Sequence, residues 1–155
     1  MEAPHNGVVI YKSRSGSTKQ YGEWIRNNLR VPMIDPDRLD HQILSMCDFL
    51  VIGTPVYNGN MLISDWLRQN EHRLRGTRLF FFIVCTYYAD LEKQQIMIRD
   101  NIPSGLLPSC AIWFLPGRDP EVESIAALTA DLVQEKVLVP LLGTVRAFAA
   151  GVGIV

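Results

Sequence analysis

Long runs of like charge, paired cysteines and histidine clusters are all missing from this sequence, and each absence removes a class of protein. Fifteen Lys and Arg residues nearly balance 16 Asp and Glu residues for a net charge of −1. No run of five like charges occurs, so there is no electrostatic footprint for nucleic acid and no charged tail. The three cysteines, Cys47, Cys85 and Cys110, are an odd number with no C-x-x-C pair, which excludes a disulfide framework and a zinc site. Cys85 and Cys110 lie in apolar runs (IVC and SCAIWF) and read as small buried hydrophobes. Unpaired thiols of this kind point to a reducing compartment, the cytoplasm. His5, His41 and His72 stand singly without metal spacing and read as solvated surface. The start MEAPHNG has no basic segment before an apolar core, so no signal peptide is expected. There is also no internal repeat, low-complexity segment or linker long enough to divide the chain.

What is present is a chain of 155 residues, 48% hydrophobic, of a size that buries roughly 70% of its unfolded surface without a metal or disulfide. Residues 1–155 are expected to form a single domain. Apolar β-rich runs alternate with segments of helical period. GVVIYKS, VPMID, CDFLVIGTPV, TRLFFFIVC and SCAIWFLPG read as strands. Between them, Thr18–Leu29 carries Tyr21, Trp24, Ile25 and Leu29 on one helical face, and Ile63–Leu74 carries Ile63, Trp66, Leu67 and Leu74. Asp90–Asn101 should be a third helix, with Leu91 or Gln94, Ile98 and Ile102 in rhythm. Pro120–Val137 should be a fourth, with proline in its first turn and Glu121 and Glu123 near its start. The alternation predicts an α/β fold, a doubly wound five-stranded parallel sheet with helices on both faces.

In such a sheet ligands bind outside the carboxyl ends of the strands. The loops leaving that edge are KSRSGST, TPVYNGN, CTYYAD and PGRDP. In the first, a strand ends and a helix begins, so unpaired amides of the helix N-terminus combine with the hydroxyls of Ser13, Ser15, Ser17 and Thr18. Gly16 lets the backbone approach closely, and the whole reads as a phosphate cradle. A serine-rich turn that merely caps the helix is the plainer alternative. Other phosphate loops fail by pattern: G-x-x-x-x-G-K-[ST] is absent, as is G-x-G-x-x-G between a strand and a helix. Lys12-Ser13 and Thr54-Pro55 stand where a receiver-type domain needs carboxylates. A cysteine phosphatase loop lacks its arginine, since Gly53, Leu91 and Pro116 occupy the required positions.

The second loop adds an aromatic. Tyr57 follows Thr54, Pro55 and Val56 and precedes Asn58-Gly59, the dipeptide best able to adopt positive φ in a tight turn. A flat ring beside a phosphate cradle suits a planar ligand, although a tyrosine that only caps a turn has the same sequence. Thr86, Tyr87, Tyr88 and Asp90 repeat the theme after Cys85, with Asp90 equally suited to capping the next helix.

VVIYKSRSGSTKQYGEWI, CDFLVIGTPVYNGN and the strand ending in FLPGR together resemble flavodoxin-like domain proteins, particularly the branch that includes menaquinone-dependent protoporphyrinogen oxidase. The resemblance covers roughly residues 7 to 120. It implies the strand order 2-1-3-4-5 and an FMN cofactor. Its phosphate would sit in S-R-S-G-S-T, where Ser15 replaces the usual threonine and Arg14 matches the arginine of the oxidase branch. The resemblance further implies that Tyr57, Asn58 and Gly59 lie against the isoalloxazine and that Cys85 to Tyr88 face its other side. It also implies a turn peptide, here Asn58-Gly59, whose carbonyl can reorient toward the reduced ring.

Two function classes follow. The first is an FMN-dependent redox protein passing electrons between a reductase, a quinone or a protein partner, with protoporphyrinogen oxidase-like activity as a variant. The second is a non-redox module that binds a phosphate-bearing ligand or a protein after losing flavin. Electron-carrier flavodoxins are strongly acidic, whereas this chain has a net charge of −1. Residues 137–155 carry one charge, Arg146, and nearly reach membrane-spanning length, but Pro140 and the glycines make a poor membrane helix. A terminal helix packed on the domain or on a second copy in a homodimer is expected there, with quinone or peripheral membrane contact as the alternative.

Overall fold

The computed structural model describes residues 6–14, 16–85, 89–117 and 139–150. Its strands are β1 (Gly7–Tyr11), β2 (Met33–Ile34), β3 (Phe49–Tyr57), β4 (Asn60–Met61), β5 (Arg78–Cys85) and β6 (Cys110–Pro116). The helices are α1 (Ser17–Leu29), α2 (His41–Met46), α3 (Ser64–Leu74), α4 (Leu91–Asn101) and α5 (Val139–Ala149). Five strands pair in parallel in the order β2-β1-β3-β5-β6, and β4 pairs antiparallel with the end of β3. The expected order 2-1-3-4-5 is this path, with the last two strands renumbered because β4 falls between them.

Alternation along the central strands builds two cores, one on each face of the sheet. Phe80, Phe82 and Val84 point to one side of β5, and Leu79, Phe81 and Ile83 to the other. The register sets Ile10, Ile52 and Phe81 side by side in one layer, and Val9, Val51 and Phe80 in the opposite layer. Phe80, Phe81 and Phe82 are all 0% exposed, and each contributes about 1.5–3 kcal/mol by burial.

The face built on Phe80 is covered by α1, through Tyr21, Ile25 and Leu29, and by α5, through Leu141, Leu142 and Val145. The Phe148 ring of α5 meets those of Phe49 and Phe80 at 6.3 and 5.9 Å, and Arg146 Nη2 donates to the Asn28 carbonyl at 3.1 Å. Within the described residues, the apolar tail is therefore a helix laid on the sheet. The opposite face is covered by Ile63, Trp66, Leu67 and Leu74 and by parts of α2 and α4. Trp66 Nε1 donates to the Pro36 carbonyl at 3.1 Å, tying the 3-10 turn after β2 to α3.

Three elements differ from the sequence reading, one of them the two-residue β4, which is too short to show a strand pattern. The short α2, capped by Asp40 through the Ile43 amide at 2.8 Å, was not expected, because Leu44 is its one buried residue. In α4, Leu91 is 74% exposed, and the buried positions are Met97 and Asn101. Ile102 is buried just beyond the helix as expected. Gln94 and Ile98 are half-buried, Ile98 packing on the core in the expected rhythm, and a polar residue, Asn101, joins that core with its hydrogen bonds satisfied. The helix expected over Pro120–Val137 lies outside the described residues.

Candidate functional site

At the carboxyl edge, β1 ends at Tyr11 and α1 begins at Ser17. Gly16 is the N-cap of α1 at φ 90°, a left-handed conformation that glycine adopts without a steric penalty. Its amide donates to Ser13 Oγ at 3.1 Å, closing the loop on itself. The first turn of α1 has no acidic residue, so nothing there opposes an anion at the positive end of the helix dipole. Ser17 and Thr18 are buried in that turn, at 8% and 1% exposure. Ser13 is half-buried, and Arg14 and Gly16 are exposed. Ser15 lies outside the described residues.

The second loop is a two-residue hairpin closed by the pair Tyr57 and Asn60. Asn58 at φ 52° and Gly59 at φ 78° are both left-handed, the signature of a type I′ turn and the reason Asn-Gly stands here. The returning strand is fastened residue by residue. The Met61 amide donates to Asn101 Oδ1 at 2.9 Å, the Leu62 amide to the Pro55 carbonyl at 3.1 Å, and the Ile63 amide to Thr54 Oγ1 at 3.1 Å. Thr54 and Pro55 are thus buried supports beneath the turn, whereas Val56 and Tyr57 are half-buried and Asn58 and Gly59 exposed.

Arg14 joins the two loops. Its guanidinium carbon stands 5.0 Å from the centroid of the Tyr57 ring, within cation–π range. Two grooves share Leu62 in their walls. One, of about 410 Å³, is lined by Arg14, Tyr57, Asn60, Ser64 and Arg68. The other, of about 460 Å³, is lined by Lys12, Ser13, Met33 and Asp35 among others.

On the third loop, Cys85 ends β5 at 5% exposure, and Thr86, Tyr87 and Tyr88 lie outside the described residues. Asp90 caps α4, its Oδ1 accepting from the Lys93 amide at 3.1 Å. The start of the fourth loop is held from two sides: the Tyr21 hydroxyl donates to the Pro116 carbonyl at 2.8 Å and the Gly117 amide to the Cys85 carbonyl at 3.4 Å. Sequence reasoning did not single out Lys12, Asn60, Arg68 or Asn101. Lys12 and Asn60 fall inside loops already chosen, but Asn101 is brought to the turn by tertiary structure alone.

The donor set fits a phosphate attached to a planar ring. A glycine-bent loop of hydroxyls and amides opens a helix, an exposed cation, Arg14, is within reach, and an aromatic stands on a hydrogen-bonded turn nearby. No helix among the described residues is long and apolar enough to cross a membrane.

The family model described as Flavodoxin domain matches residues 8–110. No curated protein matches the chain in sequence. Among solved structures, an NADH:FMN oxidoreductase in its apo form superposes with TM-score 0.59 at 15% identity, over 95% of this chain and 89% of the other. The two-electron reduced flavodoxin of Megasphaera elsdenii gives 0.55 at 11% identity, over 74% of this chain and 88% of the other. The flavodiiron protein of Giardia intestinalis gives 0.52 at 14% identity, over 97% of this chain and 39% of the other. At these identities the likeness is one of fold.

Proposed function

The chain belongs to the flavodoxin domain family, and we propose that it is a redox flavoprotein that holds FMN at the carboxyl edge of its sheet. The observation that carries this reading is the contact of Arg14 with the Tyr57 ring, which joins the anion-binding end of α1 to an aromatic on a fixed turn. Ser13, Gly16, Ser17 and the amides opening α1 hold the phosphate, and Arg14 supplies a positive charge beside them. Tyr57 packs on one face of the ring, and Cys85 ends β5 at the same edge of the sheet. FMN, when bound, supplies one- and two-electron transfer, and the protein orients it and tunes it by packing, hydrogen bonds and local charge.

A flavodoxin and an NADH:FMN oxidoreductase share the fold, and either role suits the site. For the carrier role, the reading we put first because the sequence has no second nucleotide fingerprint, the donor is a separate reductase and the acceptor a protein partner or a quinone. The test is absorbance after FMN is added in excess and removed by desalting. Flavin bands near one equivalent are expected. A folded but colourless protein overturns the proposal and leaves a binding module for another phosphate-bearing ligand.

A further inference from the structure

Asn101, the last residue of α4, is 2% exposed and lies 42 residues along the chain from the glycine it grips. Its Nδ2 donates to the carbonyls of Gly59 and Met97, both at 2.9 Å, and its Oδ1 accepts from the Met61 amide at 2.9 Å. Its own carbonyl accepts from the Ser64 hydroxyl at 3.0 Å. Both side-chain donors and the side-chain acceptor are engaged, and two of the three bonds go to the hairpin that carries Tyr57. No other residue of similar size does this in one plane: aspartate lacks the donors and leucine lacks both functions.

The bonds divide the turn. The Gly59 carbonyl and the Met61 amide are fixed to α4, whereas the Asn58 carbonyl is met by the exposed Asn60 side chain at 3.4 Å, a long contact. The same helix begins at the third loop, where Asp90 caps it. Thus α4 runs from the segment expected on one side of the ring to the turn expected on the other.

We propose that Asn101 is a positioning residue for the flavin site: it holds the Gly59 to Met61 half of the turn, so that the Asn58 peptide, the one the family resemblance already marks as able to reorient, is held by the exposed Asn60 side chain alone among the described side chains. The inference rests on the FMN reading above. A residue that only stabilises the fold affects oxidised and reduced flavin alike. A residue that positions turn dipoles affects them unequally, because the ring's charge and protonation differ between the two states.

The test uses the full chain with FMN bound and compares it with the variants Asn101→Asp and Asn101→Leu. Asn101→Asp keeps an acceptor for the Met61 amide and loses the donor to Gly59, whereas Asn101→Leu loses both. The readout is the ratio of affinities for reduced and oxidised FMN, obtained from the midpoint potentials. A change of at least about tenfold is expected in a folded variant, read as ~59 mV in a one-electron couple. FMN retained with the ratio within about twofold of the original overturns the inference alone. An unsubstituted chain that retains no FMN overturns the functional reading instead. Should neither variant fold, amide exchange in the unsubstituted holoprotein decides. Protection of the Met61 amide in both redox states, with the Asn58-Gly59 signals moving between them, supports the proposal, and fast exchange at Met61 in either state overturns it.

Discussion

The guanidinium carbon of Arg14 lies 5.0 Å from the centroid of the Tyr57 ring, so a cation of the first loop covers the aromatic of the second. The same side chain cannot fully occupy that ring face and a phosphate at the start of α1. If FMN draws Arg14 to its phosphate, the exchange is a contact of about 0.5–1 kcal/mol for a charge-assisted hydrogen bond of about 1.5–3 kcal/mol. The difference of those two energies, about 0.5–2.5 kcal/mol, means that Arg14→Ala is expected to weaken FMN binding by about two- to seventyfold and to leave riboflavin, which lacks the phosphate, bound no more weakly. Titration of flavin fluorescence with both ligands checks this. Equal losses for the two would assign Arg14 to the ring instead of the phosphate.

Tyr57 closes the hairpin opposite Asn60 and is half-buried there. Its ring is expected to add about 0.5–1.5 kcal/mol to flavin binding beyond the area it covers. Tyr57→Phe should retain most of the affinity for FMN and for riboflavin, and Tyr57→Ala should lose at least about three- to tenfold for both, since it also removes the area the ring covers. The pattern is the reverse of that for Arg14, which separates ring contacts from phosphate contacts in one experiment.

Gly53 in β3 faces Phe82 of β5 so closely that a Cβ added to it meets the Phe82 ring. Phe82 is 0% exposed in a core filled on that side by α1 and α5, and has no open space into which to retreat. Gly53→Ala is expected to destabilise the domain by about 1–3 kcal/mol through overpacking. Urea unfolding should show a lower midpoint with an unchanged slope.

The sheet was legible because burial on both faces forces its strands into nearly continuous apolar runs, as in Leu79–Cys85. The hairpin was legible because Asn58-Gly59 is a local signal for left-handed φ at two successive residues. The elements not anticipated owe their form to contacts distant in sequence. The six-residue α2 has one buried side chain and no readable period, and β4 is two residues long and exists through its pairing with Val56 and Tyr57. Asn101 counted as polar in the helical pattern, yet is buried because Gly59 and Met61 complete its hydrogen bonds from about forty residues away. The loops at strand ends could be read from composition, but the residues that hold those loops in place could not.

Thr54, 0% exposed, accepts the Ile63 amide at the point where the chain leaves the hairpin for α3. Thr54→Val keeps the shape of the side chain and removes the acceptor, leaving a buried N–H without a partner. A loss of about 1–3 kcal/mol is expected, and Thr54→Ser should recover most of it. Thermal unfolding of the three proteins checks the order. Should valine prove as stable as threonine, the hydroxyl is not what fastens the end of the turn.

Cys110 opens β6, and its thiol donates to the Leu106 carbonyl at 3.0 Å. Burial pushes the thiol from 9.0 up to about 12, with nearby Arg78 pulling the other way by less. Below pH 9 the thiol is protonated in both folded and unfolded chains and makes stability neither rise nor fall. Between pH 9 and about 12 the unfolded chain has released the proton and the folded chain keeps it. Stability linked to this group is therefore full below the lower value and is lost as pH rises toward the upper one. Unfolding measured across that range should fall more steeply for the native chain than for Cys110→Ala, with the two parallel below pH 9. The same protonation predicts slow alkylation of Cys110 by iodoacetamide at neutral pH, since the thiolate is the reactive form. A rate equal to that of free cysteine, together with parallel stability curves throughout, would show that the thiol titrates as if exposed.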